Sequence, residues 1–193
     1  FCEVDSDKNH AKKTSLLNGG DVNEALNHLK ARGYSGVENI EWDKLDINLQ
    51  AIADTMENLK ARGWPPVFVL MYDETWRLLE GLFAIMEPIL GDDCELEASL
   101  YGWALDPPTM TEEGEVEKVG GNFGQPHRDF PFNQCHLADG VTPSVVSVWI
   151  PMVQATLDNG CMYVIPREMD PLFDKPEDKF HLTPTLRPNF PYA

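Results

Sequence analysis

His127 and Asp129 stand two residues apart in the stretch Gln125-Pro126-His127-Arg128-Asp129-Phe130-Pro131. In an extended chain, side chains at i and i+2 leave the same face. An imidazole nitrogen and a carboxylate oxygen at these positions can therefore meet one divalent ion. They supply two of the three protein ligands of a facial 2-His-1-carboxylate site, which leaves three positions open on iron(II). An H-x-D triplet alone is common, and it equally fits an exposed His–Asp pair beside a turn. Arg128, of opposite parity, is expected to face away and make a structural ion pair.

The same letters spell the catalytic-loop triplet H-R-D of protein kinases. There an Asn falls five residues after the Asp, whereas Asn133 falls four after Asp129. No Gly-rich loop precedes a V-A-I-K strand, no D-F-G follows, and 193 residues are too few for two kinase lobes. The kinase reading is set aside.

Downstream lies Trp149-Ile150-Pro151-Met152, then Asn159-Gly160-Cys161-Met162-Tyr163-Val164-Ile165-Pro166. With Gln125, His127 and Asp129 ahead of it, this block resembles the phytanoyl-CoA dioxygenase family over roughly residues 63–175. Family members carry Q-x-H-x-D, then a Trp-containing strand, then N-G and a V-I-P phrase. The resemblance implies a double-stranded β-helix (jelly roll) holding Fe(II), with 2-oxoglutarate as co-substrate. It implies that His127 and Asp129 are metal ligands, that Gln125 is a neighbouring or co-substrate contact, and that Trp149 is a wall of the cofactor pocket. The physical alternative for Trp149 is a core residue.

Two departures matter. The family often continues V-I-P with G-S-H, where this chain has Arg167-Glu168-Met169. The family also places a distal His, then an Arg or Lys, well beyond V-I-P. The expectation is that the native chain continues past Ala193 or that this copy has lost its third ligand. His181, followed by Arg187, is the candidate inside the sequence, but it lies in a proline-rich stretch without strand periodicity. His136 is too near His127 to return on a separate strand. His10 and His28 fall in the N-terminal extension and read as surface residues.

The implied function is Fe(II)/2-oxoglutarate-dependent hydroxylation of a small organic substrate. CoA esters are disfavoured, because only Lys118, Arg128 and Arg167 lie near the expected mouth. The alternative is a catalytically inactive oxygenase-like protein serving as a structural or assembly subunit. It would meet protein partners through its N-terminal extension and acidic surface.

The elements that must position these residues give an α+β fold. A helical extension spans 1–62, and an oxygenase-like jelly-roll domain, incomplete at its C-terminus, spans 63–193. Asp21 to Glu24 reads as a capping box opening a first helix that Gly33 stops. A second helix is predicted over 45–62, with Ile52, Met56 and Leu59 as its apolar stripe and Gly63 as its stop. The phrases LKARGY and LKARGW read as two helices ending with the same chemistry. Residues 67–72 read as a short strand. Asp73 can cap a third helix with Trp76, Leu79, Leu82, Phe83 and Met86 on one side, closed by Pro88 and Gly91. Residues 94–105 alternate, with Leu96, Ala98 and Leu100 facing one way. Residues 106–121 read as a loop. Further strands are expected over 123–129, 144–152 and 161–165, with Asn159-Gly160 as a hairpin turn whose two positions tolerate positive φ.

Lys and Arg number 15 against 32 Asp and Glu, a formal charge of −17. A surface this acidic repels phosphate backbones, so a nucleic-acid partner is excluded. No apolar run reaches the ~18–20 residues of a membrane span, and the N-terminus is not signal-like. Cys2, Cys94, Cys135 and Cys161 form no C-x-x-C pair. Reduced thiols in an intracellular, reducing compartment are the simplest expectation.

Overall fold

The computed structural model describes residues 19–37, 40–105, 112–113, 127–156 and 159–181, with the side chains of 19–22 excepted. Three helices carry the core. They are α1 (Gly19–Arg32), α2 (Leu49–Ala61) and α3 (Asp73–Leu90). A 3-10 turn at Trp42–Leu45 leads into α2, and a second at Pro66–Met71 joins α2 to α3. A single turn, α4 (Phe132–Cys135), and a 3-10 turn at Arg167–Met169 follow later.

Helix α2 forms as its sequence dictates. Asn48 caps it, its side chain accepting from Ala51 N at 3.0 Å. Ile52, Ala53 and Met56 are buried, and Leu59 packs beside them. The C-terminus closes as a Schellman motif. Gly63 N donates to Lys60 O at 2.9 Å, and Trp64 N donates to Leu59 O at 2.9 Å. Gly63 sits at φ +76 with nothing near where a Cβ would stand. Gly63→Ala is therefore a pure backbone test: it is expected to cost about 1–2 kcal/mol through left-handed strain, read as a lower midpoint in urea unfolding. Gly33 ends α1 differently, at φ +80 with a single bond from its N–H to Leu29 O at 2.8 Å. The two LKARG phrases share a left-handed glycine but not the hydrogen bonds around it.

Four local expectations are corrected. Helix α1 begins at Gly19, so Asp21 already lies inside the helix and not at its start. Residues 67–72 are not a strand; Pro66–Met71 is a 3-10 turn with proline at its start, where the ring's fixed φ suits a tight helix. Helix α3 buries Thr75, Leu78, Gly81, Ala84 and Ile85, while Trp76 is 51% exposed. The buried face is thus rotated from the predicted stripe toward Gly81, whose missing side chain lets neighbouring residues approach the helix closely. A Cβ at Gly81 would meet Leu45 Cδ1 at 2.7 Å and Ile47 Cδ1 at 3.1 Å. Asn159-Gly160 is not a turn with two positive φ values. Only Gly160 is positive, at +87, and the Asn159 side chain closes the loop. Asn159 Oδ1 accepts from Thr156 N at 2.6 Å, and Nδ2 donates to Gln154 O at 2.7 Å.

The core comprises Ile47, Ile52, Met56, Val69 and Leu78, with Trp42, Leu45, Leu49 and Leu59 around it. Ile150 and Met152, from the Trp149 segment, also pack on it. Residues on both sides of the predicted 62/63 boundary therefore share one core. Thr75 Oγ1, buried in it, donates to Val69 O at 2.8 Å. Lys60 Nζ ties the end of α2 to Ala104 O at 2.7 Å.

Among the described residues the β pairing is confined to one antiparallel bridge, His136 to Pro143. The alternation of 94–105 is not matched by alternating burial, since Leu96 is 42% exposed. The expected strand over 123–126, the loop over 106–121 and the chain beyond His181 lie wholly or mostly outside the described residues. No helix among those described is long and apolar enough to cross a membrane.

Candidate metal centre

His127 and Asp129 face one another. Nε2 and Oδ1 are 3.5 Å apart, and both side chains are about half-exposed. The second carboxylate oxygen, Oδ2, accepts from Ser147 Oγ at 2.5 Å. That bond holds the carboxylate so that a single oxygen is turned toward the imidazole. Two ligands about 2.1 Å from an ion, in adjacent corners of an octahedron, stand about 3 Å apart. The observed pair fits two such corners with a small inward movement. Among the described residues no group of three His, Cys, Asp or Glu side chains converges to hold an ion.

Between the two, Arg128 has partners of its own. It forms a salt bridge with Asp170, both side chains being largely buried. Its guanidinium lies 4.6 Å over the Phe173 ring, and Arg167 lies 4.7 Å over the same ring. The ring meets Phe132 and His136 edge-on, at 5.4 and 5.5 Å. His136 is held by its own turn: it stacks on Phe132 at 4.4 Å, and Nδ1 bonds Phe132 O at 3.0 Å.

His181 is buried, not a surface group. Its Nδ1 lies 2.7 Å from Leu172 O. A carbonyl only accepts, so Nδ1 donates, while Nε2 has no hydrogen-bond partner among the described residues. Leu172 N in turn donates to Asp170 Oδ1 at 3.0 Å. His181 is thus joined to the Arg128 side of the triplet and is not brought together with His127 and Asp129. Gln125 and Arg187 lie outside the described residues. Trp149 is 47% exposed and so is not a core residue. It follows Ser147 by two positions, while Ile150 and Met152 go to the core. His28 is half-buried, its Nδ1 bonded to Tyr34 O at 2.6 Å.

Sequence reasoning missed Ser147, Asp170 and Phe173. Arg128 pointed to an ion pair, but nothing local names a partner 42 positions away.

Between α4 and Ser144 the chain turns on Asp139. Its carboxylate accepts from Val141 N at 2.9 Å, Thr142 N at 2.8 Å and Thr142 Oγ1 at 2.6 Å. The Thr142 hydroxyl and these amides lower the Asp139 pKa to about 2. Because the folded value is depressed, the contribution to stability is present above the unfolded carboxylate pKa and is lost as pH falls through about 2. Thr142→Val is expected to raise the Asp139 pKa toward the ordinary carboxylate range, read by carboxyl-carbon NMR titration. Burial pushes the Cys135 thiol up, against the opposing effect of Arg128. Cys94, Cys135 and Cys161 are free thiols.

This pair, followed by the Trp149 segment and the V-I-P phrase, falls inside a single family match. Residues 108–169 match the family model of phytanoyl-CoA dioxygenase. Comparison with curated proteins and with solved structures found no match. The matched segment takes in His127, Asp129, Ser147, Trp149 and the Arg167–Met169 turn. It leaves out α1, α2 and α3, although its Ile150 and Met152 pack on the core that α2 and α3 share.

Proposed function

We propose that this chain supplies the H-x-D half of a non-haem Fe(II)/2-oxoglutarate oxygenase centre, acting on a small organic substrate. One observation carries the reading: within the family segment, His127 Nε2 and Asp129 Oδ1 stand 3.5 Å apart. In this reading the segments 144–152 and 161–165 belong to a jelly roll, and the third ligand comes from residues outside those described. Gln125 and Trp149 would line the co-substrate pocket.

When bound, the iron would supply a Lewis-acidic centre for O2 and 2-oxoglutarate and an oxidising hydroxylation. The chain's own work is positional. His127 must present Nε2 with its lone pair outward, which requires the neutral imidazole protonated on Nδ1. Asp129 must bind through one oxygen, and the Ser147 hydroxyl on Oδ2 enforces that. Arg128, between the two ligands, is drawn to the other side by Asp170 and so keeps its positive charge off the metal face.

The test is succinate release from 2-oxoglutarate by the full native chain, with and without Fe(II), under reducing conditions. Succinate that appears only with Fe(II) supports the reading. No Fe(II)-dependent succinate with any substrate of a chemically varied panel, together with no Fe(II) binding, overturns it.

A further inference from the structure

The pair His127 and Asp129 rests on a brace that neither the H-x-D triplet nor the family match describes. The Arg167–Met169 turn packs on α1. Arg32 Nη2 lies 2.6 Å from Glu168 Oε1, and Arg167 Nη1 reaches Lys30 O at 3.3 Å. Gly33, at the end of α1, lies under Arg167 and Phe173, where a Cβ would touch both at 3.7 Å. From this anchored turn the chain runs to Asp170, which takes the Arg128 guanidinium, and to Phe173, which carries both Arg128 and Arg167 on its ring. The Arg-Glu-Met that stands where the family often has G-S-H is thus the part that touches the helical extension.

We propose that Asp170 and Phe173 are positioning residues for the metal pair. They hold residue 128, and so steady the backbone that carries 127 and 129. The logic is geometric. Residue 128 joins the two ligands, so clamping its side chain limits the movement of the backbone from which both neighbours leave. A planar guanidinium held by a carboxylate and a ring has little rotational freedom, which a lysine in its place would not share. The Arg128–Asp170 pair is largely buried, so it is not a screened surface contact. Through the turn, α1 becomes part of the same support.

This inference rests on the metal-site reading, and the experiment separates the two. Co(II) is titrated into the full native chain under anaerobic, reducing conditions, following the visible d–d bands, with circular dichroism as the folding control. His127→Ala marks the site. Asp170→Asn and Phe173→Leu are expected to weaken Co(II) binding by about 10- to 100-fold and to shift the d–d bands, the range seen when groups that orient metal ligands are removed. Asp170→Glu keeps the charge and is expected to recover most of the affinity. Arg128→Lys, which keeps the ion pair but not the flat stacked group, is expected to bind more weakly than the parent. If Asp170→Asn fails to fold, Phe173→Leu and Arg128→Lys carry the test. Unchanged Co(II) affinity and bands in the folded variants, with parent binding still dependent on His127, overturn the brace alone. Parent Co(II) binding that survives His127→Ala overturns the site reading itself.

Discussion

Replacing His127 with Ala is expected to abolish Fe(II)-dependent release of succinate and to lower metal affinity by about 100-fold or more, beyond the range reached by orienting groups. Among the described residues no third His, Cys, Asp or Glu converges on the pair to hold an ion. Removing the imidazole would leave one carboxylate, and Ser147 already engages one of its oxygens. A single exposed carboxylate oxygen does not hold a divalent ion against water. Asp129→Asn should behave nearly as badly, because an amide is a neutral and weaker ligand. Circular dichroism should be unchanged in both, since both side chains are about half-exposed and outside the core. Succinate release that persists in His127→Ala would falsify the assignment.

The second large effect is on stability. Leu78 is 2% exposed and among the largest fully buried side chains. Leu78→Ala is expected to cost about 2–5 kcal/mol, the transfer term plus the cavity left behind, read from denaturant unfolding. Leu79, one position on, is only partly buried, and Leu79→Ala should cost less than half as much. The comparison distinguishes the observed face of α3 from the stripe that its sequence suggests. Equal costs at both positions would mean that α3 is rotated from the orientation described.

That rotation illustrates what the sequence makes legible. In α2, apolar residues recur at helical spacing against a polar remainder, so Ile52, Met56 and Leu59 name the buried face directly. In α3, Leu78, Leu79, Leu82, Phe83, Ile85 and Met86 spread over nearly half of the helix at ~100° per residue, a stripe too wide for periodicity alone to name the buried strip within it. Gly81 chooses, by letting Leu45 and Ile47 approach, and that is a tertiary fact. The VFV of 66–71 has the composition of a strand, but a run this short does not distinguish strand from helix, and two prolines favour the tight turn. A helix closes its hydrogen bonds within itself, whereas a strand needs a partner far along the chain. The jelly roll therefore stays an expectation, carried by the family match.

The site divides in the same way. His127 and Asp129 are legible because their relationship is local and its chemistry specific. Arg128 is half-legible: its parity foretells an ion pair, not Asp170. Ser147 and Phe173 leave no local trace, since a serine and a phenylalanine in such segments have many ordinary uses. The departure at Arg167-Glu168-Met169 looked like family variation, and its contact with α1 appears only in three dimensions.

Residues 147 to 152 give the molecule a shared hinge of fates. Ser147 holds Asp129, and three positions later Ile150 begins to bury itself among α2, α3 and the turn between them. Loosening the helices would release this segment and, with it, the carboxylate's orientation. Native-state ligation and helical packing are therefore thermodynamically linked. Anything that binds at His127 and Asp129 in the folded state also raises the free energy needed to open the helical core, by an amount set by its concentration relative to its dissociation constant.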